Sequence, residues 1–266
     1  MNRQTRISWL HDRTSRARSC VRCLCLGFVL IMVSACQGVP VDVKTDSTQS
    51  TEKVVLLHGL KRSSWSMKKI EWHLEATGFA VCNIDYPSDR KLVTALVDHI
   101  VTKIDGCFGA AAGPLNFVSH SLGGLMIRAI EVSDKGPEIA RAVMIAPPNH
   151  GSELVDLHRN SRLFRALMGP VAVLLGTEPG SLPRRLGPAT FDVGIIAGDG
   201  KSNPLGLWVF DEPNDGTVSV ASTRLEGMND FIVVPFGHTF IMRKAAVIEE
   251  VEHYLISGTF SPAFKP

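Results

Sequence analysis

From Lys53 onward, short apolar runs alternate with stretches whose apolar residues recur every three or four positions, and this alternation most constrains the fold. Buried runs separated by amphipathic helices are typical of βαβ units, in which a parallel sheet is covered on both faces. The predicted strands lie at 53–58, 79–86, 115–120, 141–146, 192–198 and 231–236, and the predicted helices near 65–77, 91–105, 122–133 and 241–256. In the second helix, the stripe of Leu92, Leu96, Ile100 and Ile104 predicts a core-facing side. We expect one α/β domain with a mostly parallel central sheet and helices on both faces.

One interval breaks this alternation. Some 45 residues separate the predicted strand that ends at Ala146 from the one that begins at Asp192. A structureless loop of that length is uncommon in a compact domain. We therefore expect a small helical cap insertion at about 149–190.

The amino-terminal segment resembles an export signal. Its first 35 residues carry six Arg against one Asp and end in a 13-residue apolar run from Cys23 to Ala35, which is short of the roughly 20 residues of a membrane span. The sequence Val33-Ser34-Ala35-Cys36 resembles the lipobox of bacterial lipoproteins. That resemblance implies a lipid anchor on Cys36 in the cell envelope, with Gln37 favouring the outer membrane facing the periplasm. An ordinary cleaved signal is the alternative.

The expected organisation is a signal peptide (1–35), a lipidated Cys with a flexible tether (36–52) and an α/β domain (53–260). The chain beyond residue 35 has 22 Lys and Arg against 25 Asp and Glu, a net charge of −3. A slightly acidic body lacks the clustered basic surface that nucleic-acid binding needs, so that class of partner is excluded.

The exported body keeps two cysteines besides Cys36, namely Cys82 and Cys107. An oxidising compartment favours a disulfide between them. Two separately buried thiols remain the alternative, because sequence does not give the distance between them.

The most informative motif is Ser119-His120-Ser121-Leu122-Gly123-Gly124, between a predicted strand and a predicted helix. In a nucleophile elbow, the chain turns sharply at the central Ser, and the residues two before and two after it must be small. Ser119 departs from the usual Gly of G-x-S-x-G. Ser121 is the candidate nucleophile, and a structural Ser at a helix start is the alternative.

A serine nucleophile needs a base that is oriented by an acid. His238 follows the last predicted strand, and Asp215 lies in the turn sequence Asn-Asp-Gly-Thr. The order Ser121, Asp215, His238 is that of the α/β-hydrolase triad. The competing acids, on turns or strand ends nearby, are Asp199, Asp211 and Glu212.

The other histidines, among them His58 and His120, are interpreted as solvated or hydrogen-bonded structural residues. The backbone N–H groups of Leu60 and Leu122 are the candidate oxyanion donors, since one follows an early strand and the other follows the nucleophile. An ordinary strand-end turn at His58-Gly59 is the alternative.

Together these motifs resemble those of a lipase- and esterase-like group of bacterial α/β-hydrolases. They are HGL (58–60), DYPS (85–88), VSHSLGG (118–124), APPNHGS (146–152), NDGTVSV (214–220) and GHTF (237–240). The resemblance implies hydrolysis of small-molecule or lipid esters through an acyl-enzyme, without a metal or organic cofactor. We expect the stretch Leu163 to Leu175 to line or cover an acyl pocket, or else only to pack on the sheet. An acyltransferase or thioesterase with the same triad, or a non-catalytic envelope lipoprotein, remains open, as does the oligomeric state.

Overall fold

A parallel sheet of six strands lies at the centre of the protein, as seen in a computed structural model that describes residues 51–200 and 209–264. The spatial order is β2-β1-β3-β4-β5-β6, and every neighbouring pair is parallel. The strands are β1 (Lys53–Leu57), β2 (Ala80–Ile84), β3 (Leu115–His120), β4 (Ile139–Ile145), β5 (Asp192–Gly198) and β6 (Asp230–Val234). Each predicted strand is present, with bounds shifted by up to two residues.

Helices cover both faces of this sheet, because successive strand side chains point to opposite sides. In β1, Val55 and Leu57 enter one core cluster, whereas Val54 and Leu56 enter the other. The main helices are α1 (Lys68–Ala76), α2 (Val93–Phe108), α3 (Leu122–Val132) and, later in the chain, α8 (Ala245–Ser257). The expected α/β architecture is confirmed.

The predicted apolar stripe of α2 needs one correction. Leu96, Ile100 and Ile104 are buried, together with Val97, but Leu92 is 63% exposed. Leu92 precedes the first turn with an extended backbone, so it leaves the helical face to which its spacing assigns it.

The interval between β4 and β5 forms short helices. They are α4 (Glu153–His158), α5 (Arg162–Met168), a 3-10 turn (Ala172–Leu174) and α6 (Leu182–Arg185). A further short helix, α7 (Val220–Thr223), precedes β6. Helical structure is thus present in the interval where a cap is predicted.

A disulfide joins Cys82 on β2 to Cys107 on α2, with the Cα atoms 6.1 Å apart. The bond ties an edge strand to the helix that follows it. Cys36, Gln37 and the predicted signal peptide lie outside the described residues, as does most of the predicted tether. No helix in the described ranges is long and apolar enough to cross a membrane.

Candidate active site

Ser121 lies at a sharp turn between β3 and α3. Its backbone has φ 53° and ψ −120°, a conformation in which a non-glycine residue is strained and which clusters at functional sites. A β-carbon on Gly123 would lie 2.5 Å from the carbonyl oxygen of Leu57. Glycine is therefore required at that position for α3 to pack against β1.

Ser119 occupies the small-residue position before the nucleophile candidate. It is fully buried, and its hydroxyl has no hydrogen-bond partner within the described chain. The hydroxymethyl group is accommodated in the turn, at the expense of an unsatisfied polar atom.

The structure brings Ser121, His238 and Asp215 into one hydrogen-bonded chain. The Ser121 Oγ lies 3.0 Å from Nε2 of His238, and Nδ1 of His238 lies 2.7 Å from Oδ2 of Asp215. Because a carboxylate only accepts hydrogen bonds, Nδ1 carries the proton and donates it, which leaves Nε2 to accept from the serine hydroxyl. The arrangement suits removal of a proton from Ser121.

Asp215 is fixed by its own turn. The Oδ1 atom accepts hydrogen bonds from the backbone N–H groups of Thr217 (2.9 Å) and Val218 (2.8 Å), while the Asp215 carbonyl accepts from the His238 N–H (3.0 Å). The carboxylate is fully buried. Of the competing acids, Asp199, Asp211 and Glu212, none forms an ion pair with His238 in the described part of the chain.

The loop after β1 packs directly against the elbow. A β-carbon on Gly59 would lie 3.2 Å from Cβ of Ser121 and 2.9 Å from Nδ1 of His120. Leu122 begins α3, so its N–H has no intrahelical acceptor. Leu60 follows Gly59 and lines the same cavity as Ser121, which brings the segment of the second predicted donor to the site.

His58 holds this loop in place, a role that the sequence interpretation missed. Its Nδ1 donates to the Gly59 carbonyl (2.9 Å), and its Nε2 accepts from the Tyr86 N–H (3.2 Å). The ring stacks on Tyr86 with centroids 4.2 Å apart, and the Tyr86 hydroxyl donates to the His58 carbonyl. Burial lowers the pKa of His58, so the neutral ring that makes both bonds is favoured.

His120 supports the candidate base, a role that its interpretation from sequence as an ordinary structural histidine did not include. Its Nε2 lies 3.0 Å from the His238 carbonyl, and the two rings are 4.9 Å apart. Burial, followed by the proximity of His238, holds the pKa of His120 well below its usual value. A neutral His120 donates from Nε2 and fixes the loop that carries His238.

A cavity of about 240 Å³ opens beside Ser121. Its apolar wall comes mainly from the segment between β4 and β5: Leu154, Val155, Phe164, Met168, Ala172 and Leu175. From the predicted stretch Leu163 to Leu175, the residues in the wall are Phe164, Met168, Ala172 and Leu175. Leu163 and Leu167 are 68% and 55% exposed. Arg62, which the sequence interpretation did not single out, also lines the cavity.

Within residues 51–200 and 209–264, no group of three or more His, Cys, Asp or Glu side chains could hold a metal ion.

No protein-family model matches this sequence, and no curated protein matches it. Among solved structures, it is similar to Bacillus licheniformis lipase BlEst2 in its propeptide form, at 18% identity and a TM-score of 0.60 over 81% of this chain and 52% of that one. The mature form of the same lipase matches at 18% identity and a TM-score of 0.56, over 73% of this chain and 87% of that one. A thermophilic esterase from Thermogutta terrifontis matches at 13% identity and a TM-score of 0.52, over 78% of this chain and 90% of that one. These likenesses show that the chain has the α/β-hydrolase fold of lipases and esterases.

Proposed function

We propose that the chain is a serine hydrolase that cleaves carboxylic esters through an acyl-enzyme. The observation that carries this proposal is the hydrogen-bonded chain from Ser121 through His238 to Asp215. Each group has the donor or acceptor role that the reaction requires, and the serine opens onto a cavity that can hold an acyl chain.

In the first half-reaction, Ser121 Oγ attacks the ester carbonyl while His238 Nε2 accepts its proton. Asp215 stabilises the imidazolium that forms. The Leu60 and Leu122 N–H groups stabilise the oxyanion of the tetrahedral intermediate. When the intermediate collapses, the bond to the alcohol oxygen breaks and His238 returns the proton to that oxygen.

In the second half-reaction, water takes the place of the alcohol. His238 removes a proton from the water as it attacks the acyl carbonyl, and the proton then passes to Ser121 as the acid leaves. Both steps use the same donors and the same base, so a single site suffices for the whole cycle.

The cavity supports a preference for short acyl chains. Its volume of about 240 Å³ is below the roughly 300–1,000 Å³ of sites that hold drug-sized ligands. A panel of p-nitrophenyl esters of increasing chain length tests this preference: kcat/KM should reach a maximum at short chains and fall once the acyl group exceeds the cavity.

Labelling with a fluorophosphonate tests the nucleophile. We expect one adduct, located on Ser121 by mass spectrometry, and none in Ser121→Ala. The matched control is Ser257→Ala, at the carboxyl end of α8, which should be labelled at the wild-type rate. A folded wild-type protein that forms no adduct and cleaves no ester contradicts the proposal.

We propose in addition that the enzyme is exported and anchored by lipid at Cys36, on the support of the lipobox-like sequence. Metabolic labelling with a palmitate analogue should mark the wild type and not Cys36→Ser, with the unlabelled variant released from the membrane fraction. Equal labelling of both proteins contradicts the anchor.

A further inference from the structure

The cavity beside Ser121 has one fixed charge in its wall. Among its lining residues, all of them in the described part of the chain, Arg62 is the only Lys, Arg, Asp or Glu. The acid of the proposed triad, Asp215, is fully buried and does not line the cavity. A substrate in this cavity therefore contacts a wall with a single positive charge.

The Arg62 guanidinium is largely unengaged. Its Nη2 donates one long hydrogen bond, 3.4 Å, to the carbonyl of Thr239, and it forms no ion pair with any residue of the described ranges. A guanidinium has five N–H donors in a planar fork. Most of these donors remain available for a ligand.

The backbone holds Arg62 at this place. Lys61 has φ 54°, the left-handed region, and the Arg62 N–H closes the turn onto the Gly59 carbonyl at 3.2 Å. Both the backbone and the side chain of Lys61 are hydrogen-bonded. Its N–H donates to the Ser88 hydroxyl (3.0 Å), and its Nζ donates to the Leu167 carbonyl (2.5 Å). Strained backbone of this kind persists only where the surroundings enforce it, and it clusters at ligand sites.

The position of Arg62 also indicates which part of an ester it contacts. Thr239 directly follows His238, so the guanidinium is hydrogen-bonded next to the base that returns a proton to the leaving alcohol. The apolar wall from the interval between β4 and β5 suits the acyl chain instead. A charged group on the alcohol is therefore the part of a substrate that lies nearest to Arg62.

We propose that Arg62 binds an oxyanion group on the alcohol part of the substrate, so that the preferred substrates are carboxylic esters of alcohols that carry a phosphate or a carboxylate near the ester bond. Guanidinium pairs with both groups through two parallel hydrogen bonds. This inference rests on the proposed function, because it concerns the selectivity of the same site.

The test compares esters that share one acyl chain: 1-hexanoylglycerol, 1-hexanoylglycerol 3-phosphate and 3-hexanoylglycerate. Arg62→Gln should lower the ratio of kcat/KM for the anionic esters to that for the neutral ester by about 10- to 100-fold. The loss should appear mainly in KM, since the contact exists before the reaction. Arg62→Lys should retain part of the ratio, because the charge remains but the fork is lost.

Arg90→Gln is the matched control. The Arg90 side chain is 82% exposed and does not line the cavity, so its removal should leave the ratio unchanged. A larger loss on the phosphate ester or on the carboxylate ester shows which oxyanion is bound. Phosphatidylglycerol vesicles, assayed beside the monomeric phosphate ester, show whether the phosphate belongs to a bilayer lipid or to a soluble ester.

An unchanged ratio in Arg62→Gln overturns the inference alone while the wild type still cleaves the neutral ester. If the absolute kcat/KM values also fall equally on all three esters, Arg62 has a purely structural part. A wild type that cleaves none of them and is not labelled at Ser121 overturns the proposed function together with the inference.

Discussion

The exchange Asp215→Asn tests the hydrogen-bond logic of the site. The Asp215 Oδ1 accepts two backbone N–H bonds, from Thr217 and Val218. An asparagine keeps both bonds only if its carbonyl oxygen takes that place, which turns its NH2 group toward Nδ1 of His238. Nδ1 must then accept, Nε2 must carry the proton, and Ser121 loses its base.

The expected loss in kcat is about 10⁴-fold, the size found for the same exchange in the serine-protease triad. This corresponds to about 5 kcal/mol of transition-state stabilisation. The assay is steady-state hydrolysis of a short-chain p-nitrophenyl ester, with the fluorophosphonate labelling rate as a second measure. Both should fall together, because both require His238 to take the Ser121 proton as the serine attacks.

Asp199→Asn is the matched control for that experiment. Asp199 follows β5, and its N–H donates to the Val234 carbonyl (3.0 Å); the carboxylate that pairs with His238 is that of Asp215. We expect activity within a few fold of the wild type. Near-normal turnover in Asp215→Asn combined with a large loss in Asp199→Asn would refute the reasoning and transfer the acid to Asp199.

Four further changes probe the scaffold. Gly123→Ala places a β-carbon 2.5 Å from a backbone oxygen and should abolish activity or folding, whereas Gly106→Ala, with open space around it, should stabilise α2 by about 0.5–1 kcal/mol in urea unfolding. His120 is held neutral in the folded protein, so below about pH 6.5 the unfolded state binds more protons than the folded state. The free energy of unfolding therefore falls as the pH falls, by about 1.4 kcal/mol per pH unit for this one group. The variant His120→Gln should reduce that slope. Replacing Cys82 and Cys107 by Ser opens a 25-residue loop and should lower the free energy of unfolding by about 3.5 kcal/mol while kcat is retained. A slope or an unfolding free energy equal to that of the wild type would contradict the last two.

The residues that sequence alone could place are those with a local signal. Ser121 stands at a strand-to-helix junction between small residues, and His238 follows a strand directly. The Asp-Gly turn sequence favours Asp215 over Asp199 as the acid, and the Asp215 carboxylate lies 2.7 Å from the imidazole of His238. In each case, the local backbone conformation that positions the side chain is determined by a few neighbouring residues in the sequence.

The supporting residues carry no such signal. His58, His120 and Arg62 act through partners that are 28, 118 and 177 positions away, and no periodicity or motif encodes those distances. Their chemistry depends on burial and on which loops meet. Leu92 shows the same limit for the core, since its spacing fits the buried stripe while the start of α2 leaves it exposed.

Strand register explains why the oxyanion loop and the nucleophile meet. In the β1–β3 pair, Leu57 is opposite Ser119. Gly59 and Ser121 each come two residues later, past the ends of the two strands, and they lie side by side. The carboxyl ends of parallel strands share one edge of the sheet, and the loop and the elbow leave it side by side. Because a β-carbon on Gly59 would reach both Ser121 and His120, a larger residue there would disturb the nucleophile, the oxyanion donors and the support of His238 at once. Substitution at Gly59 should therefore lower the fluorophosphonate labelling rate and ester turnover together.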